Sequence, residues 1–157
     1  MKKIAPLFLL LLTLQACATS TIFRDKITME QLLESKTNID ATNNVAKQLL
    51  LKEELTNKII VLNNLEVKDV VTSSNVDYDF CALSDIKTEK GTIELYIYTK
   101  NIRALSQLEK GKSSIDVTGE LSRFFETLDN YYLKIEIINS KIKILKPEPS
   151  EEQTLQK

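Results

Sequence analysis

The most suggestive acidic cluster in this 157-residue chain is Asn75-Val76-Asp77-Tyr78-Asp79, which reproduces the opening spacing of a calcium loop. Such a loop needs glycine at its sixth position and glutamate at its twelfth, and here those are Phe80 and Ile86. The stretch therefore reads as an acidic turn leading into a strand, and no metal site is expected. Asp77, Asp79 and Asp85 offer pairs of carboxylates for glycoside chemistry, but nothing near them supplies a cleft or separates acid from base. The chain has no histidine, which removes the usual neutral-pH base, the Ser-His-Asp arrangement and most zinc sites. Its three glycines, Gly91, Gly111 and Gly119, form no phosphate loop, dinucleotide fingerprint or G-x-S-x-G. The expectation is a protein that is not an enzyme and carries no cofactor.

Binding chemistry is more plausible than catalysis. In "GTIELYIYTK" the alternation sends Ile93, Leu95 and Ile97 to one face, and Tyr96, Tyr98 and Lys100 to the other. Two rings and a cation in a row could stack on a sugar or a base, and these three residues are the candidate ligand site. Equally, tyrosines suit exposed strands and could pack beneath a helix. Formal charge is close to balanced, with 21 basic and 22 acidic residues. A chain of this balance lacks the basic excess that drives nonspecific nucleic-acid binding.

The two cysteines have different settings. Cys81 lies inside a strand pattern with no basic neighbour to lower its pKa, and reads as a small buried hydrophobe. Cys17 follows Lys2 and Lys3, the apolar segment Ile4–Leu14 and the small Ala16, which is the layout of a secretory signal too short to span a bilayer. Leu14-Gln15-Ala16-Cys17 resembles the lipobox of bacterial lipoproteins. That resemblance implies cleavage between Ala16 and Cys17, a diacylglyceryl and palmitate-type acyl anchor on Cys17, and a membrane-lipid partner. Ala18, where an inner-membrane retention signal would have Asp, implies the periplasmic side of the outer membrane. Several acyl chains hold a protein stably, at about 0.8 kcal/mol per buried methylene, where one does not.

These elements must position the candidate residues. Thr28-Met29-Glu30-Gln31 matches a capping box and predicts a helix over 28–36. A second helix is expected over 40–55, with Ala41, Val45, Leu49 and the pair Ala46/Leu50 on its packed side. From Lys58 the chemistry becomes β: "KIIVLNNLEVKDVV", "DYDFCALSDI" and "GTIELYIYTK" read as three strands. "NIRALSQLEK" reads as a brief helix capped by Asn101 and closed at Gly111. "SSIDVTGELSRFF" and "YYLKIEIINSKIKIL" then supply two more strands, with Gly119 suited to a bulge.

Five strands with a short helix between the third and fourth form the layout of an OB-fold barrel. The fold class is thus mainly β (α+β), a five-stranded OB-fold barrel with an N-terminal helical extension. The expected divisions are a signal peptide at 1–16, a lipid-anchored tether at 17–26, the barrel domain at 27–146 and a loose tail at 147–157. The run "LEKGKSSIDVTGELSRFF" resembles the tRNA-anti-like group of bacterial OB-fold proteins, as do the preceding helices around Asn44 and Ala46. Asn57-Lys58 departs from the Gly-Lys usual there. Many members of that group are lipoproteins or secreted, and the reading taken here is a periplasmic binding or assembly module whose expected partner is a protein of an envelope or secretion complex. A glycan or nucleic acid held on the tyrosine face is the other expectation.

Overall fold

The computed structural model describes residues 24–127 and 129–145. The expectations at Ala16, Cys17 and the tail from 147 lie outside the described residues. The chain order is β1 (Lys26–Ile27), α1 (Met29–Asp40), α2 (Val45–Leu55), β2 (Ile59–Thr72), β3 (Phe80–Thr88), β4 (Gly91–Tyr98), α3 (Ile102–Leu105), β5 (Ser114–Phe125) and β6 (Leu133–Leu145).

Strands run β1-β2-β3-β4-β6-β5, and a further pairing of β2 with β5 closes the last five into a barrel. β4 and β6 are parallel, while the other barrel pairs are antiparallel. With α3 between β4 and β5, this is the OB-fold expected from the sequence. β1 is an addition to that expectation. It lies parallel to the start of β2, across the boundary drawn from sequence between the tether ending at 26 and the domain starting at 27, and Ile59 N donates to Asp25 O at 2.9 Å.

The barrel closes because β2 serves two neighbours. Its first half pairs with β5 and its second with β3, and the strand bends at two register shifts, Leu62/Leu65 and Val67/Asp69. Asn64 sits in the first with φ of 53°, a conformation asparagine tolerates better than most residues. Its backbone N–H donates to Asp116 Oδ1 at 3.0 Å. On the far side, Gly119 of β5 stands opposite Asn139 and Ser140 of β6, so the bulge expected at the glycine lies on the partner strand and the glycine faces it. A Cβ there would lie 2.6 Å from both Ile137 Cγ2 and Ser140 Oγ. Ile60, Val67, Ile93, Leu95, Ile97, Ile115, Val117, Leu121, Ile135 and Ile137 fill the interior.

The capping box forms as expected: Gln31 N donates to Thr28 Oγ1 and Thr28 N to Gln31 Oε1. α1 runs past the expected 36 to Asp40, because Leu32, Lys36 and Ile39 continue one buried face. Lys36 is buried with its ammonium on Asp40 at 2.5 Å and on Glu126 at 2.6 Å, tying α1 to the end of β5. Burial works against its charge, yet the two carboxylates prevail and hold the amine above the usual lysine range.

α2 corrects the sequence expectation. It begins at Val45, and the side read as packed, Ala41, Val45, Ala46, Leu49 and Leu50, is exposed. The helix leans instead on Leu55 and the half-buried Leu51. α3 is likewise a single turn, ending well short of Gly111.

Candidate functional site

Strand alternation on β4 assembles the outer face as expected in outline. Ile93, Leu95 and Ile97 are fully buried inside the barrel, while Glu94, Tyr96 and Tyr98 point to the other side. The three candidates then diverge. Tyr96 is half-buried; Tyr98 has no exposed surface; Lys100 lies beyond the strand end and is exposed. Tyr98 is covered by Tyr78 of the β2–β3 loop, whose ring centroid is 5.3 Å from its own. Tyr78 is pinned in turn by Asn139, accepting from its backbone N–H at 3.0 Å and donating to its Oδ1 at 2.9 Å. Lys100 Nζ stands 5.9 Å from the Tyr78 ring. A ring so covered has nothing to offer a ligand in this arrangement. The Tyr98 hydroxyl is buried without a hydrogen-bond partner, Ser74 standing near it outside bonding geometry. Burial, above all, raises its pKa.

The polar chemistry of the face centres on Glu94, which sits beside Asp85 of β3 and Lys134 of β6. Tyr96 Oη donates to Glu94 Oε2 at 2.8 Å, Lys134 Nζ reaches the same oxygen at 3.1 Å, and Lys68 Nζ approaches Oε1 at 3.3 Å. Burial pushes the Glu94 carboxyl up, but the hydroxyl and two ammonium groups outweigh it and hold the pKa below the ordinary glutamate value. Tyr96 is raised by burial and by Glu94. Lys134 also pairs with Asp129 at 2.7 Å, and Lys68 with Asp85 at 3.2 Å and with the Tyr131 hydroxyl. Both amines are held above the usual range, Lys134 chiefly by Asp129 and Lys68 chiefly by Tyr131. Lys134 brings Asp129 down to about 2.

Tyr131, in the β5–β6 loop, receives two cations, Lys68 at 4.8 Å and Lys134 at 5.1 Å from its ring centroid. Next along the sheet, Arg123 of β5 makes a two-point pair with Glu136 of β6, at 2.8 and 2.7 Å. The face thus carries Lys68, Arg123 and Lys134 against Asp85, Glu94, Asp129 and Glu136. Each of these three cations is engaged by a carboxylate, while Lys100 at the end of β4 stands only near the Tyr78 ring.

Sequence reading missed most of this set. Period-two alternation in "YYLKIEIINS" does place Lys134 and Glu136 opposite Leu133, Ile135 and Ile137. Their meeting with Glu94 depends on β4 pairing with β6, which the chain order does not reveal. The Asn75–Asp79 cluster forms a turn closed on itself, with Asp77 N donating to Asn75 Oδ1 and Tyr78 N to Asn75 O. No group of three or more metal-ligating side chains gathers among the described residues. Cys81 is buried opposite Tyr98, and desolvation with Glu136 and Glu94 nearby pushes its thiol up to about 11. No described helix is long and apolar enough to cross a membrane.

No protein-family model matches the chain, and no curated protein matches it. Among solved structures it is similar to the replication factor A related protein from Methanobacterium thermoautotrophicum, at 14% identity and a TM-score of 0.35, covering 57% of this chain and 80% of that one. The OB-fold assignment rests on strand order, the parallel β4–β6 pair and closure by β2 and β5.

Proposed function

We propose that this chain is a lipoprotein of the bacterial outer membrane, anchored on the periplasmic side through acylated Cys17. Its OB-fold barrel is then a non-enzymatic binding module for a protein partner in an envelope or secretion assembly. The observation that carries the choice of partner is the charge pattern of the outer face. Phosphate recognition draws on cations free to displace counterions, and here the three central cations, Lys68, Arg123 and Lys134, are engaged by Asp85, Glu94, Asp129 and Glu136, with Lys87 and Lys100 exposed at the margins. A polyanion would meet a face of nearly balanced charge whose central cations are already paired. A folded protein can complement alternating fixed charges point by point, which favours specificity and orientation over bulk attraction.

A glycan is the second reading, favoured by the half-buried Tyr131, whose ring stands beside Lys68 and Lys134 and whose backbone N–H meets Asp129, an aromatic surface edged with polar groups. One experiment separates the two. The chain is cross-linked in intact envelopes, purified, and compared with the double variant Tyr131→Ala, Arg123→Ala. A discrete protein recovered with the wild type, and reduced at least tenfold with the variant, supports the proposal; that factor corresponds to ~1.4 kcal/mol. Unchanged recovery overturns the assignment to this face. Chemical-shift changes at Tyr96 and Tyr131 with cell-wall oligosaccharides, and no protein recovered, favour the glycan. For the anchor, Cys17→Ser should abolish fatty-acid labelling and release the chain from the membrane fraction. Undiminished labelling would overturn it.

A further inference from the structure

The β2–β3 loop, residues 73–79, is closed on itself and fastened to the barrel through one side chain. Ser73 N donates to Asp79 O at 2.9 Å across its base, Asn75 N to Ser73 Oγ at 2.8 Å and Asp77 N to Asn75 Oδ1 at 3.0 Å. Among the described residues, the hydrogen bonds that leave the loop are those of the Tyr78 hydroxyl with Asn139. The remaining apolar groups stay outside: Val76 is 100% exposed and Phe80, at the start of β3, 41%. An open hollow of about 500 Å³ lies among Thr72, Ser74, Val76, Tyr78 and Phe80. Tyr78 alone holds the loop down.

What the loop covers belongs to the outer face. Strand alternation turns Tyr98 outward with Glu94 and Tyr96, and Cys81, opposite Tyr98 across the β3–β4 pair, shares that side. Their place in the sheet faces solvent, yet Tyr98 and Cys81 are 0% and 1% exposed. Under this cover the Tyr98 hydroxyl has lost water and gained no partner, a desolvation that opening relieves. We propose that the loop is a lid: Tyr78 unlatches from Asn139, residues 73–79 swing as a unit about the ends of β2 and β3, and Tyr98 with Cys81 joins Tyr96 on the exposed face. Closed, Tyr78 occupies the place over Tyr98 that a side chain of a protein partner takes when the lid is open. That use of the surface rests on the function proposed above; the lid itself does not.

Cys81 reports on the lid. In the full chain carrying Cys17→Ser it is the one thiol, and its labelling by N-ethylmaleimide is followed in urea below the unfolding transition. Opening a lid exposes little surface, so the rate should be nearly constant at low urea, whereas exposure through global unfolding rises steeply with denaturant. Tyr78→Phe, which removes both hydrogen bonds to Asn139, should label about tenfold faster with the same flat dependence. Asn139→Gly keeps the backbone N–H and suits the φ of 50° while losing Oδ1, and its rate should fall between the two. A rate in the reference chain that climbs with urea from the start overturns the lid, as does an unchanged rate in Tyr78→Phe. Acceleration that tracks the global unfolding of Tyr78→Phe means that the barrel has opened and not the lid, and overturns it too. In the acylated chain, recovery of the cross-linked envelope protein should rise severalfold with Tyr78→Phe. Fast, urea-independent labelling with unchanged recovery removes the contact surface and leaves the lid. The same labelling with no protein recovered from either chain defeats the function proposed above and again leaves the lid.

Discussion

Tyr98 shows how much a single side chain depends on what covers it. Its ring fills space between β4 and Tyr78, but its hydroxyl has left water without gaining a hydrogen bond. A buried unsatisfied hydroxyl costs about 1–3 kcal/mol. Tyr98→Phe should therefore leave the melting temperature unchanged or raise it, whereas Tyr98→Ala should lose about 3–5 kcal/mol, as large-to-small aromatic truncations in a core do. Thermal unfolding of the two variants side by side checks this. A clear loss from Tyr98→Phe would mean that the hydroxyl has a partner after all, with Ser74 the nearest candidate. A small loss from Tyr98→Ala would mean that the ring is not packed as a core group.

Elements in this barrel are shaped by a few positions where regular pairing fails. β2 bends at Asn64, and β5 and β6 fit together at Gly119 only because that residue has no side chain. Gly119→Ala should cost about 1–3 kcal/mol through overpacking, read as a lower urea midpoint with an unchanged slope. The clash involves Ser140 Oγ as well as Ile137 Cγ2. Ser140→Ala in the Gly119→Ala background should then recover part of the loss, a coupling that a double-mutant cycle measures. Additive effects would show that the contact is not what makes glycine necessary. α1 has the opposite character, a regular helix lengthened by one buried lysine whose ammonium meets carboxylates on its own helix and across on Glu126.

For the whole molecule, the charge network sets the response to pH. Glu94 and Asp129 have pKa values depressed in the fold, so their stabilising contribution is present above the unfolded values of about 4.3 and 3.9. That contribution is lost as pH falls through the folded values, for Asp129 about 2. Lys36, Lys68 and Lys134 are raised, so theirs is complete below about 10.4 and lost as pH climbs beyond it. The Cys81 thiol, neutral in the fold up to about 11, begins to favour the unfolded chain above its free value of about 8.5. With no histidine to titrate, the melting temperature should be flat from about pH 5.5 to 8 and fall below about pH 4. In Glu94→Gln the acid limb should be shallower. An equally steep acid limb in the variant would show that Glu94 does not contribute to it.

Local chemistry alone determined the order of the five barrel strands and the helices, the Thr28 capping box, the need for a glycine at 119 and the two faces of β4, and hence the OB-fold layout. Each follows from neighbours in sequence: side-chain period, capping groups, and the absence of a Cβ. Tertiary structure alone decided which of the outward residues meet. Glu94 and Lys134 lie far apart in the chain, and only the parallel β4–β6 pair puts them side by side. The same long-range packing laid Tyr78 over Tyr98 and removed one candidate ring from solvent. It also turned the apolar arc of α2 outward, because helical periodicity tells which residues share a face and nothing about which face the rest of the molecule covers.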